Sequence, residues 1–291
     1  MTKEAAVAVA EPQYAAGSIE ALQAAVDGLV DPTMKAHALA LVEKFDFQIE
    51  GVEDNERGFT PEWLRLIQGI TDAETYPDSA RAGDFVLGKG KDAPVLTRPA
   101  QIIPVMVYPT RSFWDPVDKD SGKVLCFSPD GIQGRFGACK TCQHAVFDKE
   151  TSHMDCTPSY NILAVTADLE HVFTLGFSKT SWRVASDLVK QFTKKGRSPY
   201  QTICLLDSKS NEKYKQAKNP VITISGFTSP DVQVFTRAVF QYAKAGRDEM
   251  IKAFREGLGG GEGTSYEALG HSSEGRAAIA APVGEAAEYV I

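Results

Sequence analysis

The chain has 291 residues, 43% hydrophobic and 24% charged, the balance of an ordinary soluble globular protein with room for one large or two small domains. No apolar run approaches the roughly 20 residues of a membrane helix, and Met-Thr-Lys-Glu-Ala-Ala at the start lacks a basic region ahead of an apolar core. A reducing cytoplasm is the expected compartment, with no membrane association. The net charge of −7 would discourage nucleic acid if it were evenly spread. It is not: residues 1–92 carry 8 Lys and Arg against 17 Asp and Glu, whereas residues 176–224 carry 10 against 3. A basic block inside an acidic chain points to a localised anionic partner, although a solvated helix face and a charged hairpin would give the same numbers.

The first region, 1–98, reads as helical. Ser18 is placed to cap a helix with apolar Ile19, Leu22, Val26 and Leu29 at helical spacing, and Pro32 fits the first turn of a second helix reaching Phe45. A third, shorter helix is expected from Pro61, burying Trp63, Leu64, Leu66 and Ile67. Residues 71–100 are rich in Asp, Gly and Pro and read as a connecting loop with one short strand near Phe85 to Leu87. Strands are expected at Ile102 to Tyr108, Lys123 to Ser128, Asn161 to Thr166 and Val172 to Phe177. Helical spacing returns from Ser178 to Phe192 through Trp182, Ala185, Leu188 and Val189. Two more strands, Tyr200 to Leu206 and Pro220 to Ile224, flank a lysine-rich loop. A long helix follows, 229–258, and the Gly-, Ser-, Ala- and Glu-rich tail 259–291 is expected to be disordered.

Four of the five cysteines fall within 31 positions, as Cys126, Cys139, Cys142 and Cys156. The spacing C-x12-C-x2-C-x13-C suits a tetrathiolate zinc site, in which four soft ligands close a tetrahedron and leave no position for catalysis. A redox C-x-x-C would leave Cys126 and Cys156 idle, and disulfides need an oxidising compartment. Both stay open beside unligated thiols, and His144 or His153 lies near enough to replace one cysteine. Cys204, in Thr-Ile-Cys-Leu-Leu, reads as a buried core residue.

Between residues 99 and 228 the expected elements run strand, strand, strand pair, helix, strand, strand. An OB-fold is a five-stranded barrel with its helix between the third and fourth strands. The order fits if the Asn161–Phe177 pair is one bent strand or one strand plus an extra, with the cysteines inserted between the second and third strands. The fold class is thus α+β: an OB-like barrel with a zinc-binding insertion, an N-terminal helical region, a long C-terminal helix and a flexible tail. Such barrels bind single strands by stacking bases on aromatics in a basic groove. Phe173, Phe177 and Trp182 sit on apolar spacing and are expected in the core. The candidates for nucleic-acid contact are Arg111, Trp114, Arg135, Phe136, Lys179, Arg183, Lys194, Lys195, Arg197, Lys209, Lys213, Tyr214 and Lys215. Lys194, Lys195 and Arg197 read equally well as a favourable cationic helix end.

Val124-Leu-Cys-Phe-Ser-Pro-Asp-Gly131, Gly137-Ala-Cys-Lys-Thr-Cys142, Cys156 and Phe177-Ser-Lys-Thr-Ser-Trp182 together resemble a group of phage-type, zinc-containing OB-fold single-stranded DNA-binding proteins. The resemblance covers about residues 77–227 and departs from the group at Gln143-His144, where a proline is expected. It implies Zn²⁺ held by Cys126, Cys139, Cys142 and Cys156, and a role in replication, recombination or repair. It also implies single-stranded DNA as ligand, with RNA as the alternative. The end Gly284-Glu-Ala-Ala-Glu-Tyr-Val-Ile291 resembles, weakly, the acidic tails through which such proteins recruit replication or recombination partners.

No enzyme is expected. The chain has no P-loop, G-x-S-x-G or H-E-x-x-H motif, and no H-x-E accompanies its C-x-x-C as a deaminase requires. The principal rival is a zinc-stabilised module that docks onto replication or transcription machinery; a virion structural protein is the third reading.

Overall fold

The computed structural model describes residues 15–45, 61–69, 71, 73–115, 123–150, 154–211 and 216–259. Helix α1 (Ile19–Asp27) starts where Ser18 Oγ accepts the Ala21 N–H at 3.2 Å, and α2 (Pro32–Phe45) begins at its proline. The expected third helix is instead a strand, β1 (Glu62–Leu66). The sequence Glu-Trp-Leu-Arg-Leu alternates with a period of two, so Leu64 and Leu66 share a face opposite Trp63 and Arg65. Over five residues that alternation is hard to tell from helical spacing, and pairing with a neighbouring strand decides it.

The remaining strands are β2 (Phe85–Leu87), β3 (Val95–Leu96), β4 (Ala100–Trp114), β5 (Val124–Ser128), β6 (Gln133–Gly134), β7 (Gly137–Ala138), β8 (Cys156–Thr166), β9 (Val172–Ser178), β10 (Thr202–Ser210) and β11 (Lys218–Phe227). Helix α3 (Trp182–Lys195) lies between β9 and β10, and α4 (Pro230–Gly259) follows β11. The main sheet has nine strands in the order β11-β10-β4-β8-β9-β1-β2-β3, with β5 on the second edge of β4, beyond the stretch where β10 pairs. It curls into a half-barrel of an α+β protein. The pair Asn161–Phe177 is two separate strands, β8 and β9; Cys126 lies on β5, Cys139 and Cys142 follow β7, and Cys156 opens β8. Cys139 and Cys142 thus lie between the second and third of the expected strands, Lys123 to Ser128 and Asn161 to Thr166, as the sequence order has them.

The β9–β1 pairing is parallel, Trp63 opposite Thr174. Beyond β1 the chain crosses to β11: Gln68 Oε1 accepts the Lys218 N–H at 2.7 Å, and Gln68 Nε2 donates to the Lys218 carbonyl at 3.2 Å. The Gly69 N–H adds a bond to the Gln216 carbonyl at 2.9 Å. A side-chain amide thus carries the curl from β1 to β11.

Two apolar cores lie on opposite faces of this sheet. The concave face buries Leu64, Phe85, Ile102, Ile162, Phe173, Leu175, Phe177, Cys204 and Leu206 against Ala185, Leu188 and Phe192 of α3. The convex face packs Ile103, Val105, Leu163, Val165 and Val172 beneath α1, α2 and the first half of α4. The expected core placements of Phe173, Phe177 and Cys204 hold, while Trp182 lies at the surface against Tyr160, ring centroids 5.4 Å apart. Among the described residues no helix is long and apolar enough to cross a membrane. Truncating Phe173, which is fully buried, to Ala leaves a cavity in the concave core. Equilibrium urea unfolding should show a loss of about 3–5 kcal/mol.

Candidate nucleic-acid interface

The convex face changes character along its strands. At one end it is apolar and covered by helices. Beyond Met106 and Leu163 the register brings Tyr108 opposite Asn161 and Asn161 opposite Gly176. The next rows are Thr110, Ser159 and Ser178, then Ser112 and Thr157. Alternation places all of these on the convex side, so β4, β8 and β9 present a terrace of small polar groups where a core would need branched apolar ones. Asn161 Nδ2 donates to Thr110 Oγ1 at 3.1 Å, and Trp114 Nε1 donates to Ser112 Oγ at 3.0 Å, which sets the Trp114 indole beside the terrace.

Aromatic and cationic groups border the terrace at the helical end. The Arg247 guanidinium, from α4, sits 4.6 Å from the centroid of the Tyr108 ring and donates through Nη2 to the Pro129 carbonyl at 2.7 Å. Burial pushes the Tyr108 hydroxyl above its ordinary range, against Arg247 and a hydrogen bond with Thr174. Burial likewise lowers Arg247. On the other side Trp63 lies over Gly176, where an added Cβ would meet its Cζ3 at 3.1 Å. Arg65, two residues on, shares that face. Trp63, Arg65, Tyr108 and Arg247 were not candidates from sequence: Trp63 and Arg65 were assigned to a helix, and only tertiary packing brings Arg247 to Tyr108.

The cysteine segment occupies the opposite side of the same strand ends. Phe113 is opposite both Cys126 on β5 and Cys156 on β8, and the three form a small buried cluster. Cys139 is buried and Cys142 half-buried. Burial pushes the Cys126 thiol up, partly offset by the N–H groups of Phe136 and Arg135, with Cys139 and Cys142 near enough to raise it further. Burial pushes Cys156 up to about 11; the Arg111 guanidinium beside it lowers it, and Cys139 and Cys126 raise it. Cys126 thus lies within electrostatic reach of the other three thiols, and Cys156 of Cys139, yet among the described residues no three His, Cys, Asp or Glu groups are gathered as a ready-made metal cage. Several features suit a thiolate-bound cation: the N–H donors aimed at Cys126, Gly134, where a Cβ would lie 2.7 Å from Cys126 Sγ, and Arg111 to balance excess thiolate charge. His144 is engaged elsewhere, stacked on Phe113 at 4.4 Å and paired with Asp155 at 3.2 Å. His153 lies outside the described residues.

The sequence candidates therefore separate into groups. Trp114 joins the terrace. Arg111 turns to the thiols, and Arg135 and Phe136 stand exposed on the β6–β7 turn, with Phe136 6.2 Å from Phe113. Lys179 and Arg183 lie at the start of α3, while Lys194 and Lys195 occupy its last turn, about 16 Å further along the axis at ~1.5 Å per residue. Arg197 follows the left-handed Gly196 and lies 5.2 Å from the Phe227 ring. Lys209 is exposed near the end of β10; Lys213, Tyr214 and Lys215 lie outside the described residues, as does nearly all of the tail 259–291.

Asp130 braces the cysteine segment against α4. Its carboxylate accepts the N–H groups of Ile132 and Gln133, the Ser128 hydroxyl and, at 2.5 Å, Arg255 Nη2. Burial pushes this carboxyl up, but the hydrogen bonds outweigh it and hold the group below the ordinary carboxylate range. Comparison with protein-family models, with curated proteins and with solved structures returns no match.

Because the folded-state value is lowered, the stabilisation from Asp130 is complete above the unfolded value of about 3.9 and fades as pH falls through the lower folded one. Asp130→Asn should cost about 1–3 kcal/mol at pH 7. Urea melts between pH 3 and 7 should show the gap from the unsubstituted protein closing below about pH 4.

Proposed function

We propose that this chain is a sequence-tolerant single-stranded DNA-binding protein acting in replication, recombination or repair, without catalytic activity. The strand order β11-β10-β4-β8-β9, with α3 between β9 and β10, supports an OB-like reading of the five strands. In that architecture the ligand lies across the second and third strands, flanked by the first-to-second and fourth-to-fifth connections. Here those strands are β8 and β9, and the connections are the cysteine segment and the lysine-rich turn between β10 and β11. The observation that carries the reading is the convex face itself. Helices cover its apolar half, and in the other half the hydroxyls of Ser112, Thr157, Ser159 and Ser178 stay part-exposed beside exposed Gly176, while Thr110 and Asn161 are buried.

Zn²⁺ fits the thiol set as a structural ion held by Cys126, Cys139, Cys142 and Cys156. It would fix the segment between β4 and β8 and supply no chemistry to a bound strand. Binding the ion would require these buried thiols to give up their protons, so affinity should rise with pH. Thiol modification of freshly purified protein should release one zinc per chain to a colorimetric chelator; release of none refutes the assignment.

Fluorescence titration with a mixed-sequence single strand should show tighter binding than with its duplex. The log–log salt dependence should be about −0.7 per phosphate contacted. Replacing Lys194, Lys195 and Arg197 together by Ala should weaken binding at low salt and make the slope shallower by up to about 2; unchanged affinity removes these three from the interface.

The docking-module reading has one observation in its favour. Ile132, Phe136, Val146 and Phe147 are exposed apolar side chains within the cysteine segment. Absence of oligonucleotide binding at every salt concentration would favour it.

A further inference from the structure

We infer that β1 and α4, which lie outside the five OB-like strands, complete a nucleotide subsite: Trp63 offers a stacking surface to a base, Tyr108 backs the Arg247 guanidinium, and Arg65 and Arg247 donate to the adjoining phosphates. The subsite rests on the single-strand reading and gives it a location.

Three buried side-chain nitrogens or oxygens have no hydrogen-bond partner among the described residues: Arg65 Nε, Arg111 Nη1 and Arg247 Nε. All three are guanidinium donors. Arg111 faces Cys156 and belongs to the thiol cluster. The other two, Arg65 and Arg247, are 182 residues apart in sequence and border the same strip of the convex face. A buried guanidinium N–H left without an acceptor is rare in a folded protein and calls for an anion or its equivalent. Arg is the side chain whose planar fork matches phosphate oxygens.

The floor between the two arginines is aromatic and amide. Tyr108 lies under Arg247 and reaches Thr174 on β9 through a hydrogen bond. Thr174 is opposite Trp63, whose ring lies over Gly176. Asn161 sits between Tyr108 and Gly176 in the register, its Oδ1 3.5 Å from where a Gly176 Cβ would be. Tyr108, Asn161, Gly176 and Trp63 thus form one floor from β4 to β1, in which Asn161 is buried and Gly176 exposed. Any side chain at position 176 would lift the Trp63 ring from it. Aromatic faces flanked by guanidinium donors accept any base and read the backbone, which suits sequence-tolerant binding of unpaired nucleotides. A duplex keeps its base faces stacked inside and could use only the arginines.

The chain has three tryptophans, so a Trp114→Phe, Trp182→Phe double variant leaves Trp63 as the sole indole reporter. With oligo-dT titrated in at low salt and binding followed independently by anisotropy of a labelled strand, Trp63 emission should be quenched in step with binding. Binding with no change in Trp63 emission overturns the subsite and leaves the wider reading standing. Absence of binding by the unsubstituted protein removes both. In parallel, Arg65→Gln with Arg247→Gln should weaken oligo-dT binding at least tenfold and make the salt slope shallower by about 1.4, the effect of two phosphates. An unaltered slope in a variant with unaltered thermal melting also overturns it; if that variant does not fold, the Trp63 quenching decides.

Discussion

A β-strand has two edges and two faces, and β4 commits all four to different tasks. One edge pairs with β8 from Ile102 to Phe113; the other pairs with β10 at its start and with β5 at its end. That exchange of partners is possible because β4 is 15 residues long and the sheet curls away from it, taking β10 around the barrel while β5 fills the vacated edge. Its concave side chains pass from the barrel core at Ile102 to the thiol cluster at Phe113. Its convex side chains pass from the helical core at Ile103 to the terrace at Thr110. Core, cysteine segment and candidate interface are therefore fixed to one another by a single rigid element.

This arrangement gives α4 two roles at once. Its first half supplies Val232, Phe235, Ala238 and Val239 to the convex core. Its second half leaves that core and reaches the turn after β5, through Arg247 to Pro129 and Arg255 to Asp130, with Phe254 edge-on to Phe127. The cysteine segment is thereby held at its base by a helix. An ion added there would tighten a segment already anchored at its base, which suits a structural metal better than an exchanging one.

Much of this was legible in the sequence, and the failures have physical causes. Ser18, Pro32 and the apolar spacing of α3 and α4 specify local structure, and the helices appear where expected. The strands from Ile102 onward were found because alternation or continuous apolar runs marked them. Trp63 and Arg65 were misplaced because five residues carry too little periodicity to separate a strand from a helix turn. Trp182 was assigned to the core by its spacing, yet its ring lies at the surface beside Tyr160. The cysteine cluster is visible as spacing, but the placement of Arg111 beside Cys156 is not, because the two are 45 residues apart in the chain. Likewise, Ser112, Thr157, Ser159 and Ser178 look unremarkable singly and become a surface only when register aligns them.

The join between β1 and β11 has a further consequence. A regular ladder spreads its strength over many backbone pairs, but here the curl is completed by the carboxamide of Gln68 and the backbone of Gly69, over three hydrogen bonds. A side chain keeps torsional freedom that backbone lacks, so this is where the half-barrel should breathe. Amide protons at Lys218 and Gly69 will exchange with solvent through local opening long before those of the β4–β8 ladder, which must await global unfolding. The terrace, built on β4, β8 and β9, stays rigid while the rim beside the lysine-rich turn loosens.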